Sequence, residues 1–410
     1  MTSTDTGARA TDWASRQPQT PQEWLDRAAE VAAILATDAV RRDREAQTPY
    51  AEVQLLKDSG LVTLLGPAEF GGGGQNWTTA YRVIREIATG DGSIGQLIGY
   101  HYLWAWAARL VGTPGQIAFV EEQATVNKWF FGGAVNPRDN DLTIRDDGAE
   151  LVYTGRKSFS TGSKVSDVTV LEGVLEGTEK HIFAIVPSQQ PGIVFNDDWD
   201  NLGQRLTESG SVTINEVRVP WEQAAGYVDR EFVPRTYNTL NVPLIQLVFT
   251  NFYLGIAKGA LQTATTYTRD RTRPWPYAVD VKEKAGEEFY ILETYGDLQS
   301  KLWAAEALAE RAAAAIEAIN AHADTVTPEE RGEAAVIIAA AKQRAVDAGL
   351  EIGTRIFEVT GARASANSVG LDLFWRNIRT HSLHDPIAYK RAEVGRYALL
   401  GELPEPTWYT

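Results

Sequence analysis

Two histidines three residues apart, His381 and His384 in the string Thr-His-Ser-Leu-His-Asp-Pro, are the residues best placed by type and spacing to do chemistry. An imidazole can hold or relay a proton near neutral pH, ligate a metal, or finish the hydrogen bonds at a helix end. The metal reading is poorly supported. Only His101, His181 and His322 remain, no clustered carboxylate pattern accompanies the pair, and there is no cysteine, so no metal site is expected. A second candidate is Gly155 to Gly162, GRKSFSTG. Lys157, Phe159 and Thr161 alternate there, and on a strand they would share a face; the alternative is an ordinary amphipathic strand. A third is His101, which opens His-Tyr-Leu-Trp within an apolar run. One helical turn puts it on the face of Trp104, beside Tyr102, either along a cavity or as a satisfied core histidine. No Gly-x-Gly-x-x-Gly loop follows a strand, so direct oxidation of NAD(P)H is not expected.

These groups sit in a chain of 410 residues, 44% hydrophobic, with a formal charge of −15. That length can bury a large core in one elaborate domain or in two or three smaller units. The acidic surface argues against nucleic acid and anionic membrane as partners. The lack of cysteine excludes disulfides, thiolate catalysis and iron–sulfur clusters, and suits a cytoplasmic setting. No apolar h-region opens the sequence and no stretch approaches about 18 uninterrupted apolar residues, so neither a signal peptide nor a membrane span is expected. Twelve Trp, fifteen Tyr and thirteen Phe serve mostly as core; some can line a pocket for a flat ligand.

Helical periodicity runs from Pro21 to about Gln116. Gly90-Asp91-Gly92 stops one helix, and Ser93 is read as the cap of the next, Ile94 to Leu110. Strands follow: Leu142 to Arg145 and Glu150 to Thr154 as a hairpin, then Val168 to Leu175, His181 to Val186 and Ser211 to Val219. Long helices return over Pro243 to Arg271, about Lys284 to His322, and Pro328 to about Thr360. The last starts at Thr327-Pro328-Glu329-Glu330, a capping residue, a proline and acids in the first turn. Alanine-rich faces suit a bundle. The fold class is α+β, mainly α: an N-terminal helical domain (1–127), a central β barrel or sandwich (128–232) and a C-terminal four-helix bundle (233–410).

That order, and local strings along nearly the whole chain, resemble the acyl-CoA dehydrogenase superfamily. The strings are LLKDSGLVTLLGPAEFGGGG (Leu55 to Gly74), REIATGDGSIG (Arg85 to Gly95), GRKSFSTG, YLGIAKGALQTATTYTRDR (Tyr253 to Arg271) and FEVTGAR (Phe357 to Arg363). Within it the chain is most similar to the dibenzothiophene monooxygenase group, which includes an indole-oxidising enzyme of xiamycin biosynthesis. The similarity rests on NDDWDNLGQRLTESGS (Asn196 to Ser211), TRPWPYA (Thr272 to Ala278) and FWRNIRTHSLHDPIAYK (Phe374 to Lys390).

The resemblance implies a two-component flavin-dependent monooxygenase. A separate NAD(P)H:flavin reductase would supply reduced FMN or FAD. O2 would add at the flavin C4a, and the hydroperoxide would oxygenate an apolar heteroaromatic substrate of dibenzothiophene or indole type. It also implies a homotetramer in which a neighbouring subunit contributes to the flavin site. Lys157, Phe159 and Thr161 would face the flavin ring, with the Thr161 hydroxyl beside N5. Trp199 would wall the pocket, and Arg273 and Arg363 would reach the phosphate, with Arg271 aligned to an arginine that dehydrogenases use. His384 and His381 would manage protons where many dehydrogenases carry a glutamate base. His101 would add to catalysis, and Tyr102, Trp104 and Gly133 would border the substrate. One departure stands out. Gly132-Gly133 replaces the Gly-Asn pair of the desulfurisation enzymes, and Val135-Asn136 the Thr-Glu of the dehydrogenases, which counts against dibenzothiophene S-oxidation in particular. The rival reading is an acyl-CoA dehydrogenase.

Overall fold

The chain runs as helices, then strands, then helices in the computed structural model, which describes residues 13, 15–136 and 141–407. Helices α1 (Pro21–Ala36), α2 (Ala39–Glu45), α3 (Tyr50–Asp58), α4 (Trp77–Gly90), α5 (Gly92–Ala105), α6 (Ala107–Val111) and α7 (Pro114–Val126) come before the strands among the described residues. Helix α5 is buried on every side from Gly92 to Trp104. Its cap is Asp91, not Ser93: the Asp91 carboxylate accepts the N–H groups of Ser93 and Ile94 at 2.9 and 3.2 Å. A carboxylate there meets two orphan donors and the positive end of the helix dipole. The run expected to continue to Leu110 breaks at Trp106, which separates α5 from α6.

Among the described residues nine strands follow: β1 (Phe131–Ala134), β2 (Leu142–Asp146), β3 (Glu150–Lys157), β4 (Val168–Leu175), β5 (His181–Pro187), β6 (Ile193–Phe195), β7 (Val212–Pro220), β8 (Tyr227–Val228) and β9 (Glu231–Phe232). The first seven form one mixed sheet. Strand β4 is its hub. Parallel to it lie β1, opposite Val168 to Leu171, and β2, opposite Val174 and Leu175, with β5 antiparallel along its other edge. Strand β4 is covered on both faces and buried from Val168 to Val174, with Glu172 as its one charged residue. Leu171 turns into the sheet's own core with Ile144, Tyr153, Ile182 and Ile214. Val168 and Val170, on the other face, join the helical core. The sheet is open, since no ladder joins β5 to β6 among the described residues.

Three long helices, α8 (Asn241–Arg271), α9 (Phe289–Asn320) and α10 (Pro328–Thr360), and two short ones, α11 (Asp372–His381) and α12 (Ile387–Leu400), complete the chain. The bundle thus has three long members and two short, the short pair parted by a turn that ends at Pro386. Helix α8 is apolar and long enough to cross a membrane, yet 83% of its most apolar window is buried inside the protein. It packs on α4, α5 and α10, and this brings the N-terminal and C-terminal helices into one hydrophobic core.

Candidate active site

His381 ends α11 and is buried. Two tyrosines hold its ring: the hydroxyl of Tyr253, on α8, lies 2.7 Å from Nδ1, and that of Tyr100, on α5, lies 3.1 Å from Nε2. Phe249 and Phe252 stand edge-on to it, with centroids 4.5 and 4.8 Å away. Burial pulls its pKa well below the ordinary histidine value, and the nearby His384 and Lys342 lower it further, so the ring is neutral at pH 7. The His384 ring lies nearly parallel to it at 5.6 Å and leans on Phe249 at 4.8 Å, with its side chain 45% exposed. One imidazole is therefore sealed and the other meets solvent.

Behind His384, Asp385 lies 3.3 Å from Nδ1 and pairs with the buried ammonium of Lys342 on α10. Burial pushes the Asp385 carboxyl up, but the His384 hydrogen bond and the Lys342 charge outweigh it and hold the group below the usual carboxylate range. Burial pulls the Lys342 ammonium down and Asp385 opposes this. The ammonium also lies 5.3 Å from the centre of the Phe249 ring.

Thr161 lies four residues past the end of strand β3. Strand β3 ends at Lys157, and Phe159 takes a left-handed φ of 56°, so Lys157, Phe159 and Thr161 do not share a strand face. Lys157 is fully buried, 3.1 Å from Glu172 and 3.1 Å from the Asn136 carbonyl; its charge serves that ion pair, not an open pocket. Phe159 is 68% exposed and meets Trp199 edge-on at 6.2 Å. Thr161 is buried, and its hydroxyl lies 2.8 Å from that of Ser209, which lies 2.7 Å from that of Thr207. The two sides are tied together. The Trp199 indole N–H donates to the Gln204 carbonyl at 2.8 Å, and the Gln204 backbone N–H donates at 2.7 Å to Asn377, one turn before His381.

His101 and Tyr102 face away from this site. The Phe131 backbone N–H donates to His101 Nδ1 at 3.0 Å, so the proton sits on Nε2, which donates to the Val62 carbonyl at 2.7 Å. Tyr102 donates to the neighbouring Leu61 carbonyl at 2.7 Å. Burial pulls the His101 pKa down to about 4. With both nitrogens held by the backbone and no solvent access, His101 is a satisfied core histidine, and Tyr102 is likewise part of the core. The residues of α5 that turn to the site are Tyr100 and Trp104, four apart, whose rings meet at 6.3 Å. Tyr100, Tyr253, Lys342 and Asp385 escaped the sequence reading. The four-residue spacing of Tyr100 and Trp104 was the available signal, whereas the tyrosine on α8 and the lysine on α10 depend on tertiary packing.

Arg271, Arg273 and Arg363 are exposed and make no ion pair among the described residues. The Thr272 hydroxyl donates to the Thr360 carbonyl at 3.1 Å, which brings the three arginines to one end of the bundle. In so acidic a chain an unpaired arginine cluster suits a phosphate. An exposed aromatic edge at Phe159 and Trp199, the Thr161 and Ser209 hydroxyls, and a buried Ser163 Oγ without a partner among the described residues suit a flat, hydrogen-bonding ring. The donor set fits a flavin. Among the described residues no three His, Asp or Glu side chains gather as a metal-binding group. An apolar cavity of about 330 Å3, lined by residues such as Ala108, Phe119, Val170 and Phe183, lies between α6–α7 and the sheet; none of Thr161, Trp199, His381 or His384 lines it.

Two family models match the chain, Acyl-CoA dehydrogenase, N-terminal domain, over residues 10–120 and Acyl-CoA dehydrogenase, C-terminal domain, over residues 247–388. Dibenzothiophene monooxygenase of Rhodococcus erythropolis is 39% identical, covering 90% of this chain and 91% of its own. The probable FMNH2-dependent monooxygenase SfnC of Pseudomonas putida is 38% identical, covering 95% and 98%. Among solved structures, methanesulfinate monooxygenase MsuC of Pseudomonas fluorescens superposes with a TM-score of 0.90 at 40% identity, covering 94% and 99%. TdsC of Paenibacillus sp. A11-2, in complex with FMN and indole, does so at 0.89 and 36% identity, covering 95% and 100%.

Proposed function

The chain belongs to the acyl-CoA dehydrogenase family, and from that premise we propose that it is a two-component flavin-dependent monooxygenase acting on an apolar heteroaromatic, at a dibenzothiophene-type sulfur or an indole-type ring. Reduced FMN or FAD, delivered by a separate NAD(P)H:flavin reductase, supplies the two electrons and two protons that send one atom of O2 into the substrate and the other into water. The observation that carries the reading is the imidazole pair. A neutral, buried His381 and a half-exposed His384 occupy the stretch in which, by the family resemblance, many dehydrogenases would carry a glutamate base. Relatives named for dibenzothiophene and for reduced flavin, and a structural neighbour holding FMN and indole, support it.

In this reading Thr161, its hydroxyl fixed by Ser209, would hold the flavin ring by a hydrogen bond. Trp199 and Phe159 would cover the ring, and Arg273 and Arg363 would bind phosphate, with a homotetramer bringing a neighbouring subunit to the site. Phe249, Phe252, Tyr100 and Trp104 keep water away. His384 exchanges protons with solvent, and His381, locked by two tyrosines, passes them inward.

The test supplies reduced flavin, 18O2 and either indole or dibenzothiophene to the purified protein, with butyryl-CoA and an electron acceptor as the parallel arm. Product carrying one 18O atom is expected. Reduction of the acceptor by acyl-CoA, with no labelled product, overturns the proposal.

A further inference from the structure

Helix α7 roofs part of the sheet without filling the space beneath it. Of its residues from Pro114 to Val126, Thr125 alone is buried, and Phe119 is 61% exposed. A helix packed on a core commonly buries about three or four residues every two turns. What holds α7 is its two ends. In its first turn the Gln116 amide nitrogen donates to the Glu222 and Ala224 carbonyls, both at 3.0 Å. The amide oxygen accepts the Thr113 and Gly226 N–H groups at 3.0 and 2.9 Å. Near the last turn Thr125 lies against Gly66, where there is no room for a Cβ. Between these fastenings is the apolar cavity of about 330 Å3. Ala108 and Val111 of α6 and Phe119 and Val120 of α7 line it together with Val170 of β4 and Phe183 of β5.

We propose that this cavity is a binding site, separate from the flavin site, for an aromatic hydrocarbon of two fused rings. Its chemistry selects against polar guests. Gln116 also lines it, but all four hydrogen-bonding positions of that amide are taken by backbone groups. Glu222 and Gln223 are exposed to solvent. A polar guest would therefore lose water and gain no partner. The size selects as well. An apolar cavity of about 150 Å3 already takes benzene, so this one has room for a second ring. Phe119 from the helix and Phe183 from the sheet offer ring contacts to a flat guest. Such a guest would also supply the packing that α7 lacks. The site involves neither flavin nor O2, so it stands or falls apart from the monooxygenase reading.

The probe is naphthalene, which carries no sulfur or nitrogen. Equilibrium dialysis measures its affinity for the purified wild type and for Ala108→Phe and Ala225→Leu, which fill the cavity from α6 and from the segment after β7. The wild type should bind saturably. Each filled variant should bind about tenfold more weakly, the equivalent of about two buried methylene groups. Naphthalene should raise the melting temperature of the wild type and not that of the filled variants. A crystal of the wild type soaked in 2-bromonaphthalene locates the guest whether or not the variants fold, and bromine between Phe119 and Phe183 is expected. Three results overturn the proposal: no saturable binding by the wild type, equal affinity in both folded variants, or bromine found only beside His384.

Discussion

Replacing His101 by leucine separates a structural histidine from a catalytic one. In the fold its ring accepts the Phe131 N–H and donates to the Val62 carbonyl. The substitution strands both backbone groups in the core at about 1–3 kcal/mol each, so the variant should be less stable by about 2–6 kcal/mol at pH 7.5. The pH dependence gives a sharper sign. Burial lowers the His101 pKa from 6.5 to about 4, so the folded ring stays neutral while the unfolded chain takes up a proton below pH 6.5. The histidine's contribution is then full above 6.5 and is lost as the pH falls toward 4. Linkage puts the loss at about 2 kcal/mol by pH 5 and about 3 kcal/mol at the acid limit. His381 titrates in the same sense, but it is present in both proteins and cancels. Urea unfolding at pH 7.5 and pH 5 should therefore show the gap between wild type and His101→Leu narrowing by about 2 kcal/mol. Product per reduced flavin should stay the same at pH 7.5. A gap that ignores pH, or a fall in that yield at full folded content, refutes the structural assignment.

Thr161→Val should keep the fold, since valine is nearly isosteric, and should raise hydrogen peroxide released per reduced flavin while product falls; an unchanged ratio would free Thr161 of its flavin role. His384→Ala should cut oxygenation by about 10²–10⁴-fold, and His384→Glu should yield no enoyl-CoA from acyl-CoA; near-wild-type turnover of the alanine variant makes the histidine structural. Asp385→Leu alone strands the Lys342 charge and should cost about 3–5 kcal/mol by denaturant unfolding, whereas Asp385→Leu with Lys342→Met should recover stability without recovering turnover. Recovery of both would reduce the pair to packing.

What could be read from the sequence was whatever rests on local chemistry. Thr327 and Glu330 bond each other's backbone N–H groups at 3.2 and 2.8 Å, the box that the Thr-Pro-Glu-Glu string announces. The hairpin of β2 and β3 pairs Leu142 with Gly155 and Asp146 with Leu151, around the Asp-Gly turn visible in the sequence. Other features depend on distant neighbours. Alternation placed Lys157, Phe159 and Thr161 on one face, but the left-handed Phe159 ends the strand's period, and the reason Lys157 is buried, Glu172, lies on another strand. Spacing alone paired His101 with Trp104. Which face of a helix buried all round turns to the site is decided by Leu61, Val62 and Phe131, which no periodicity within α5 reveals.

The electrostatics of the histidine end favour oxygenation on physical grounds as well. A dehydrogenating base must take a proton from carbon and keep it, which a carboxylate in a dry pocket does well because burial raises its proton affinity. Here burial acts on an imidazole and has the opposite sign, holding His381 neutral and disinclined to accept a net proton. Its two tyrosine contacts let it pass a proton from one nitrogen to the other without gaining charge. The Asp385 charge is matched by Lys342, so the pair anchors His384 while adding no net charge to the pocket. Under the proposed reading, a site built this way would move protons while staying uncharged at its sealed end. Oxygen transfer from reduced flavin needs that delivery, and abstraction of an α-proton does not.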